Sequence, residues 1–317
     1  MIALVVIIVV VVLPLTDDKS LSNKIDLRQQ KWFGNAICYS PFRPGQDPNL
    51  KIYPTQQQIT EDLKILQKNW HLIRTYSCDK STKDILEIIH RHKIDIKVML
   101  GVWLEQWPEN KEQNIEEIKE CIKFAKKYED IVIAISVGNE ILAKWSTHKV
   151  PSEQVIKYIK MVKAKLSIPV TVAEDYSALI PEKNLLQEVD FITVHIYPFW
   201  SMVNINKSME MTIKYLQEIT KELPAGKSIV IGEAGWATYT ALKKSEANVL
   251  PQSASEKNQR RYFIQLNDWA KKNNITVFFF EAFDEPWKGE GFEGNWGLFT
   301  SNRKPKLAIK EWYPELK

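Results

Sequence analysis

Residues 131–140 read IVIAISVGNE, a short apolar run that ends in Gly-Asn-Glu. Apolar, β-branched runs of this length are typical of strands buried on both faces of a parallel sheet. Comparable runs occupy residues 32–39, 71–76, 94–101, 168–174, 190–197, 228–233 and 276–282. Together they make eight predicted strands, which begin about 35 residues apart, the length of one βα unit.

Segments with helical periodicity separate these runs. Ile115, Ile118 and Ile122 share one helix face, and Asn114 is a suitable N-cap for that helix. Ser255 is a similar candidate cap ahead of a second amphipathic segment. A strand followed by a helix, repeated along the chain, is the pattern of an α/β protein.

Eight such units predict a single-domain (β/α)8 TIM barrel over residues 31–317. An open doubly wound sheet is the alternative fold. That fold would require a glycine-rich phosphate-binding turn after its first strand, whereas residues 39–48 read YSPFRPGQDP. The barrel is therefore the better prediction.

The amino-terminal segment differs from the rest of the chain. Residues 1–15 read MIALVVIIVVVVLPL and would span about 22 Å as a helix, which suits a short membrane anchor or a signal-peptide core. No Lys or Arg precedes the segment and no small-x-small cleavage site follows it, so we favour an uncleaved anchor. A buried first strand is the alternative. Residues 16–30 read as a polar tether. An anchor or a signal segment would place residues 31–317 outside the cytoplasm. We expect them in the periplasm or at the cell surface, or secreted if the segment is cleaved.

The composition excludes several classes of function. The 43 Lys+Arg and 39 Asp+Glu give a net charge of +4 without a basic stripe, so we expect no nucleic-acid partner. Cys38, Cys78 and Cys121 form no CxxC pair, which argues against a disulfide framework. Five histidines without an HExxH motif predict no metal, and we expect no other cofactor. Eleven tryptophans argue against disorder. We expect a monomer.

Carboxylates recur where the predicted strands end. Glu140 follows the fourth strand, Glu233 ends the seventh, and residues 281–285 follow the eighth. In a closed barrel the carboxyl ends of the strands and the loops after them form the active site. Because the fourth and seventh strands lie across the barrel mouth, Glu140 and Glu233 are predicted to face each other.

In this order, the motifs resemble those of glycoside hydrolase family 17, the β-1,3-glucanase family of retaining (β/α)8 glycosidases. The resemblance spans residues 32–310. The motifs are CYSPFRPGQ at 38–46, IRTYSCD at 73–79, SVGNEIL at 136–142, VHIYPFW at 194–200, IGEAGWAT at 231–238, FFEAFDEPWK at 279–288 and NWGLF at 295–299.

The resemblance implies a hydrolase that acts on β-1,3-glucan. It implies that Glu140 is the acid/base, that Glu233 is the nucleophile and that Asn139 holds the substrate 2-hydroxyl. Tyr197, at the sixth strand, matches a tyrosine near the nucleophile. Further substrate-binding candidates in or near the motifs are Tyr39, Arg74, Trp236, Glu281, Asp284, Glu285, Trp287, Lys288, Glu293 and Trp296.

Retaining cleavage requires two carboxyls about 5–5.5 Å apart, one protonated and one ionised. We predict that Glu140 holds the proton and that a phenol or a lysine keeps Glu233 charged. His195 precedes Tyr197 by two residues, and we interpret it as a core histidine rather than a catalytic one.

Seven tryptophans follow predicted strand ends, where indole rings can pack against the CH faces of glucose. Trp236 and Trp287 are the best candidates for such platforms. The seven are Trp103, Trp107, Trp145, Trp200, Trp236, Trp287 and Trp296.

Two alternative functions stay open. A β-1,3-glucanosyltransferase would pass the same covalent intermediate to a second sugar instead of water. A non-catalytic β-glucan-binding barrel would bind without turnover, although both glutamates are present.

Overall fold

Eight parallel strands close into a barrel in chain order, with the first strand paired to the eighth. The computed structural model describes residues 25–241 and 253–316. The strands are β1 (Ala36–Cys38), β2 (Leu72–Arg74), β3 (Lys97–Val102), β4 (Val132–Asn139), β5 (Val170–Asp175), β6 (Ile192–His195), β7 (Ile229–Ala234) and β8 (Val277–Phe279). The predicted (β/α)8 barrel is therefore confirmed, and closure of the sheet rules out the open doubly wound alternative.

Helices lie between successive strands, and short 3-10 turns occupy several of the loops. The helices are α1 (Gln56–Leu66), α2 (Lys80–His92), α3 (Lys111–Lys127), α4 (Ser152–Lys163), α5 (Tyr176–Leu179), α6 (Lys183–Glu188), α7 (Ser208–Thr220) and α8 (Glu256–Lys272). Their apolar faces and the strands form one continuous buried core. Cys38, Cys78 and Cys121 are buried free thiols within it.

The two predicted N-caps have different outcomes. Ser255 caps α8, because its side chain accepts the backbone N–H of Asn258. Asn114 is not a cap, since α3 already begins at Lys111. The Asn114 amide instead bonds the backbone N–H and carbonyl of Glu105, at 2.7 and 2.9 Å, and so fixes the loop after β3.

The segment before β1 packs against the amino-terminal end of the barrel. Leu27 is fully buried. The Gln30 side chain accepts from the backbone N–H of Ile229 (2.9 Å) and donates to the carbonyl of Asn274 (3.0 Å). Barrel packing thus begins a few residues before the predicted boundary at residue 31.

Residues 1–15 lie outside the described part of the chain, so their assignment as an anchor or signal segment stays a prediction. Among the residues that are described, none of the helices is both long and apolar enough to cross a membrane.

Candidate active site

The Glu140 side chain projects from a sharp bend at the end of β4. Gly138 has φ +95° and Glu140 has φ +50°. Glycine adopts such left-handed backbone freely, but glutamate does so at a cost, and non-glycine residues held in this way cluster at active sites. Glu233 lies within β7 itself. Its predecessor Gly232 has no room for a side chain, because a Cβ there would lie 2.4 Å from the Thr193 side chain.

The two glutamates face each other across the barrel mouth. An oxygen of Glu140 and an oxygen of Glu233 lie within 4.8 Å of one another. Retaining glycosidases hold their carboxyls about 5–5.5 Å apart, whereas inverting enzymes leave about 6.5–9.5 Å for a water molecule. The spacing in this chain fits the retaining arrangement. The Glu140 side chain is 27% exposed to the cleft, while that of Glu233 is 6% exposed.

Donors and positive charge surround the Glu233 carboxylate. Arg74 Nη1 lies 2.5 Å from Oε1, Tyr76 Oη donates to Oε1 at 3.0 Å, and Tyr197 Oη donates to Oε2 at 2.6 Å. Burial alone would raise the pKa of Glu233, but the charges of His195 and Arg74 and the Tyr197 hydrogen bond lower it to about 2. Glu233 is therefore ionised over the whole neutral range.

Tyr197 stays protonated as the partner of this carboxylate. Burial, followed by the negative charge of Glu233, raises the pKa of its phenol well above the ordinary value. The phenol consequently donates to Glu233. This is the neighbouring phenol that the motif comparison implied.

His195 lies between the two carboxylates. It is fully buried, with Nδ1 2.8 Å from Glu140 Oε1 and Nε2 3.5 Å from Glu233 Oε1. His195 is buried, as expected of a core histidine, and its two ring nitrogens face the two carboxylates. His195 and Tyr197 are two residues apart at the end of β6, a spacing that places alternate side chains on the same face, and both contact the carboxylates.

Asn139 contacts both Arg74, which pairs with Glu233, and a second wall of the cleft. Its side-chain Oδ1 accepts from Arg74 Nη2 at 2.5 Å, which leaves the amide nitrogen to donate to a bound hydroxyl. Its backbone carbonyl lies 3.0 Å from His148 Nε2. The His148 ring stacks on Trp103, with centroids 4.5 Å apart. Arg74 itself is buried and supports Glu233 and Asn139 without lining the cleft.

A lysine flanked by two carboxyls follows β8. Lys288 contacts Glu281 at 3.3 Å and forms a close ion pair with Glu285. Burial and the charge of Glu285 raise the pKa of Glu281 well above its ordinary value. Burial opposes the ionisation of Glu285 as well, but the charge of Lys288 lowers the pKa of Glu285. Trp287 Nε1 also donates to Glu285 Oε1 at 2.9 Å. Glu285 is therefore the charged member of the pair.

The structure corrects the assignment of Glu281 and Asp284 to the substrate-binding surface. Glu281 is 1% exposed and does not line the cleft. Asp284 also lies away from it and accepts from Lys306 Nζ (2.7 Å) and from the backbone N–H of Gly297 (3.0 Å). Both carboxyls therefore hold the loop after β8 in place.

Trp236 is wrong as a predicted platform. It is fully buried, and its ring packs edge-on against Phe199 and beside Tyr262 of α8. Its Nε1 donates to the carbonyl of Ser253 at 2.8 Å. Tyr39 borders the cleft, but it is 1% exposed.

A cleft of about 1130 Å³ surrounds the two glutamates. Of the predicted aromatic residues, Trp107 and Trp236 do not line it. The predicted residues that do are Tyr39, Trp103, Asn139, Glu140, Trp145, Tyr197, Trp200, Glu233, Glu285, Trp287, Lys288, Glu293 and Trp296. Residues that the sequence analysis missed include Tyr76, Tyr176 and Tyr215, of which the last two stack at 4.5 Å on the β5–β6 side.

Glu140, His195 and Glu233 also have side chains of the types that bind metals, with their ligand atoms within 4.8 Å. The Arg74 guanidinium already contacts Glu233 Oε1. A divalent cation placed there would be repelled by that fixed positive charge. The expectation that the site binds no metal stays a prediction.

Comparison with known proteins matches the part of the chain that forms the barrel. A model of the BtgE/BtgC glycoside hydrolase domain matches residues 36–297. A protein named probable glucan endo-1,3-beta-glucosidase btgC, from Aspergillus fumigatus, is 29% identical over 300 residues, which cover 87% of this chain and 43% of that protein. Glucan endo-1,3-beta-glucosidase btgC of Emericella nidulans is 26% identical over 299 residues, with 87% and 45% covered. The chain spans less than half the length of these relatives.

Two solved structures share the fold. An endo-laminarinase from Formosa Hel1_33_131 superposes with a TM-score of 0.76 at 24% identity, covering 92% of this chain and 90% of that one. A glycoside hydrolase family 17 beta-1,3-glucanosyltransferase from Rhizomucor miehei gives 0.71 at 23% identity, with 87% and 96% covered.

Proposed function

The chain belongs to the BtgE/BtgC glycoside hydrolase domain family, and we propose that it is a retaining, family 17 type hydrolase of β-1,3-glucan. The observation that carries the proposal is the Glu140–Glu233 pair, with oxygens within 4.8 Å and with Glu233 held ionised by His195 and Arg74. The names of the relatives, glucan endo-1,3-beta-glucosidases, support the same substrate class.

The proposed reaction proceeds in two displacements. Glu233 attacks the anomeric carbon while Glu140 gives its proton to the glycosidic oxygen, so that the C–O bond breaks and a glycosyl ester forms on Glu233. Glu140 then takes a proton from water, whose oxygen attacks the same carbon and releases Glu233. Two inversions at one carbon give net retention. His195, hydrogen-bonded to Glu140, orients this carboxyl as proton donor in the first step and as proton acceptor in the second.

Aromatic residues on both sides of the catalytic pair support binding of a chain rather than a single sugar. Trp287, next to Lys288, lies on the β8 side. Trp145, Tyr176 and Trp200 follow β4, β5 and β6. A cleft that accepts rings on both sides of the scissile bond favours cleavage within the polymer.

A β-1,3-glucanosyltransferase is the second candidate. The stacked Tyr176–Tyr215 pair favours it, because an acceptor sugar held there would compete with water for the glycosyl ester. The Rhizomucor miehei neighbour is a transferase by name.

One digest tests these alternatives. The protein is incubated with a reduced laminari-oligosaccharide of single length, and the products are analysed by mass. Only shorter products indicate hydrolysis, and products longer than the substrate indicate transfer. Binding without any product on several β-glucans would contradict both and favour a non-catalytic barrel.

Trp145 and Trp236 are expected to respond to alanine in opposite ways. Trp145 is 62% exposed in the cleft, so Trp145→Ala should change the free energy of unfolding by less than about 0.5 kcal/mol while raising KM for long glucan. Trp236→Ala should cost about 3–5 kcal/mol, as expected for a buried aromatic ring, with KM unchanged in the folded fraction. Urea unfolding and steady-state kinetics measure both. A higher KM with unchanged stability in Trp236→Ala would argue against its place in the core.

A further inference from the structure

Glu174 is a fully buried carboxyl at the end of β5, one strand away from Glu140. It does not line the cleft, and the proposed reaction does not use it. Oε2 accepts the backbone N–H of Leu142 at 2.6 Å, and Oε1 accepts the backbone N–H of Asp175 at 3.0 Å. Among the residues that the structure describes, no basic side chain pairs with it.

The segment that Glu174 contacts is the bend that carries Glu140. The regular pairing between β4 and β5 breaks between Ser136 and Asn139. Beyond the break, the Glu140 N–H donates to the carbonyl of Ala173 at 3.0 Å, and the Leu142 N–H donates to Glu174. Two successive residues of β5 therefore hold the backbone on which the Glu140 carboxyl is mounted.

This attachment matters because the bend is strained. Glu140 has φ +50°, and a non-glycine residue stays in that region only when its surroundings hold it there. Without the Leu142–Glu174 bond, the bend keeps the Glu140–Ala173 bond but loses the contact that fixes its far side. A displacement of about 1 Å at a catalytic group can lower the rate by about 100-fold.

The charge of Glu174 is also coupled to Glu140. Burial raises the pKa of Glu174 to about 8. The Leu142 hydrogen bond lowers this pKa, and the charge of Glu140 raises it. The charge of Asp175 raises the pKa of Glu174 further.

We propose that Glu174 is a positioning residue for the acid/base: through the Leu142 N–H it fixes the bend that aims the Glu140 carboxyl at the leaving-group oxygen. This inference rests on the proposed role of Glu140.

The test compares two substrates on Glu174→Gln. Laminarin needs a proton on its leaving group, whereas an aryl β-laminarioside with a dinitrophenol leaving group does not. We expect kcat on laminarin to fall by about 10- to 100-fold, and formation of the glycosyl ester from the aryl substrate to change by less than about threefold.

Asp284→Asn is the matched control. Asp284 is also a mostly buried carboxyl that accepts a backbone N–H, but it lies away from the cleft. This variant should lose stability and keep the ratio of the two rates. Glu174→Asp, whose carboxyl is one methylene shorter, should show a weaker form of the Glu174→Gln effect.

Three results would overturn the inference. These are equal losses on the two substrates, an unchanged rate on laminarin, and unfolding of both Glu174 variants, which would give Glu174 a role in the fold as a whole. If the unaltered protein turns over neither substrate, the proposed function fails, which is a different result from any of these.

Discussion

Replacing Glu233 with glutamine is expected to lower kcat on laminarin by about 10⁴-fold or more, because an amide cannot attack the anomeric carbon. Glu140→Gln should cause a comparable loss, since the leaving sugar then departs without a proton. The measurement is reducing-sugar release by variants whose folding has been checked by circular dichroism. Near-normal activity in either variant would contradict the assignment of the pair.

The two roles can be separated by adding azide to the alanine variants. In Glu233→Ala, azide can occupy the space of the missing carboxylate and attack an activated aryl substrate, which gives a glycosyl azide of inverted configuration. In Glu140→Ala, azide instead attacks the ester on Glu233, and the product keeps the β configuration. The opposite pattern would exchange the two roles.

Arg74→Met is expected to have the second largest effect. Arg74 contacts both Glu233 (2.5 Å) and Asn139 (2.5 Å) and is 1% exposed. Removing one partner of a buried ion pair costs about 3–5 kcal/mol. Activity should also fall, because Glu233 and Asn139 lose the group that orients them.

The pH dependence of this variant has a definite sign. The pKa of Glu233 is lowered to about 2, so the ionised carboxylate stabilises the fold above the ordinary pKa of about 4.5, and this contribution is lost as the pH falls towards 2. Without Arg74 the pKa of Glu233 rises. The acid limb of kcat/KM should then move up by about 1–3 pH units.

Arg74→Lys keeps the charge but not the fork that reaches two partners. It should shift the acid limb less than Arg74→Met does. An acid limb that stays in place in Arg74→Met would mean that His195 and the phenols alone keep Glu233 ionised.

The barrel could be predicted from the sequence because its eight strands are continuous apolar runs at regular spacing. That pattern also placed Glu140 and Glu233 at the carboxyl ends of opposite strands. It could not determine which way a loop residue turns. Trp236 and Trp287 both lie in loops that follow strands, yet Trp236 is covered by α8 while Trp287 faces the cleft.

The contacts of buried polar side chains were the other limit. His195 and Glu174 both lie in apolar strand sequences, where a core role and a functional role look alike. The two roles are distinguished by the neighbours that the fold brings from elsewhere in the chain, such as Glu140 beside His195 and Leu142 beside Glu174. Those neighbours depend on barrel register and on the bend after β4, which periodicity does not encode.

The contacts of Leu27 and Gln30 determine which way the enzyme would face on a support. These residues attach the start of the described chain to the ends of β7 and β8 opposite the cleft. A surface or bead linked through that side would leave the mouth of the barrel pointing away from it. An insoluble glucan, which cannot diffuse to the enzyme, could then still reach Glu140 and Glu233.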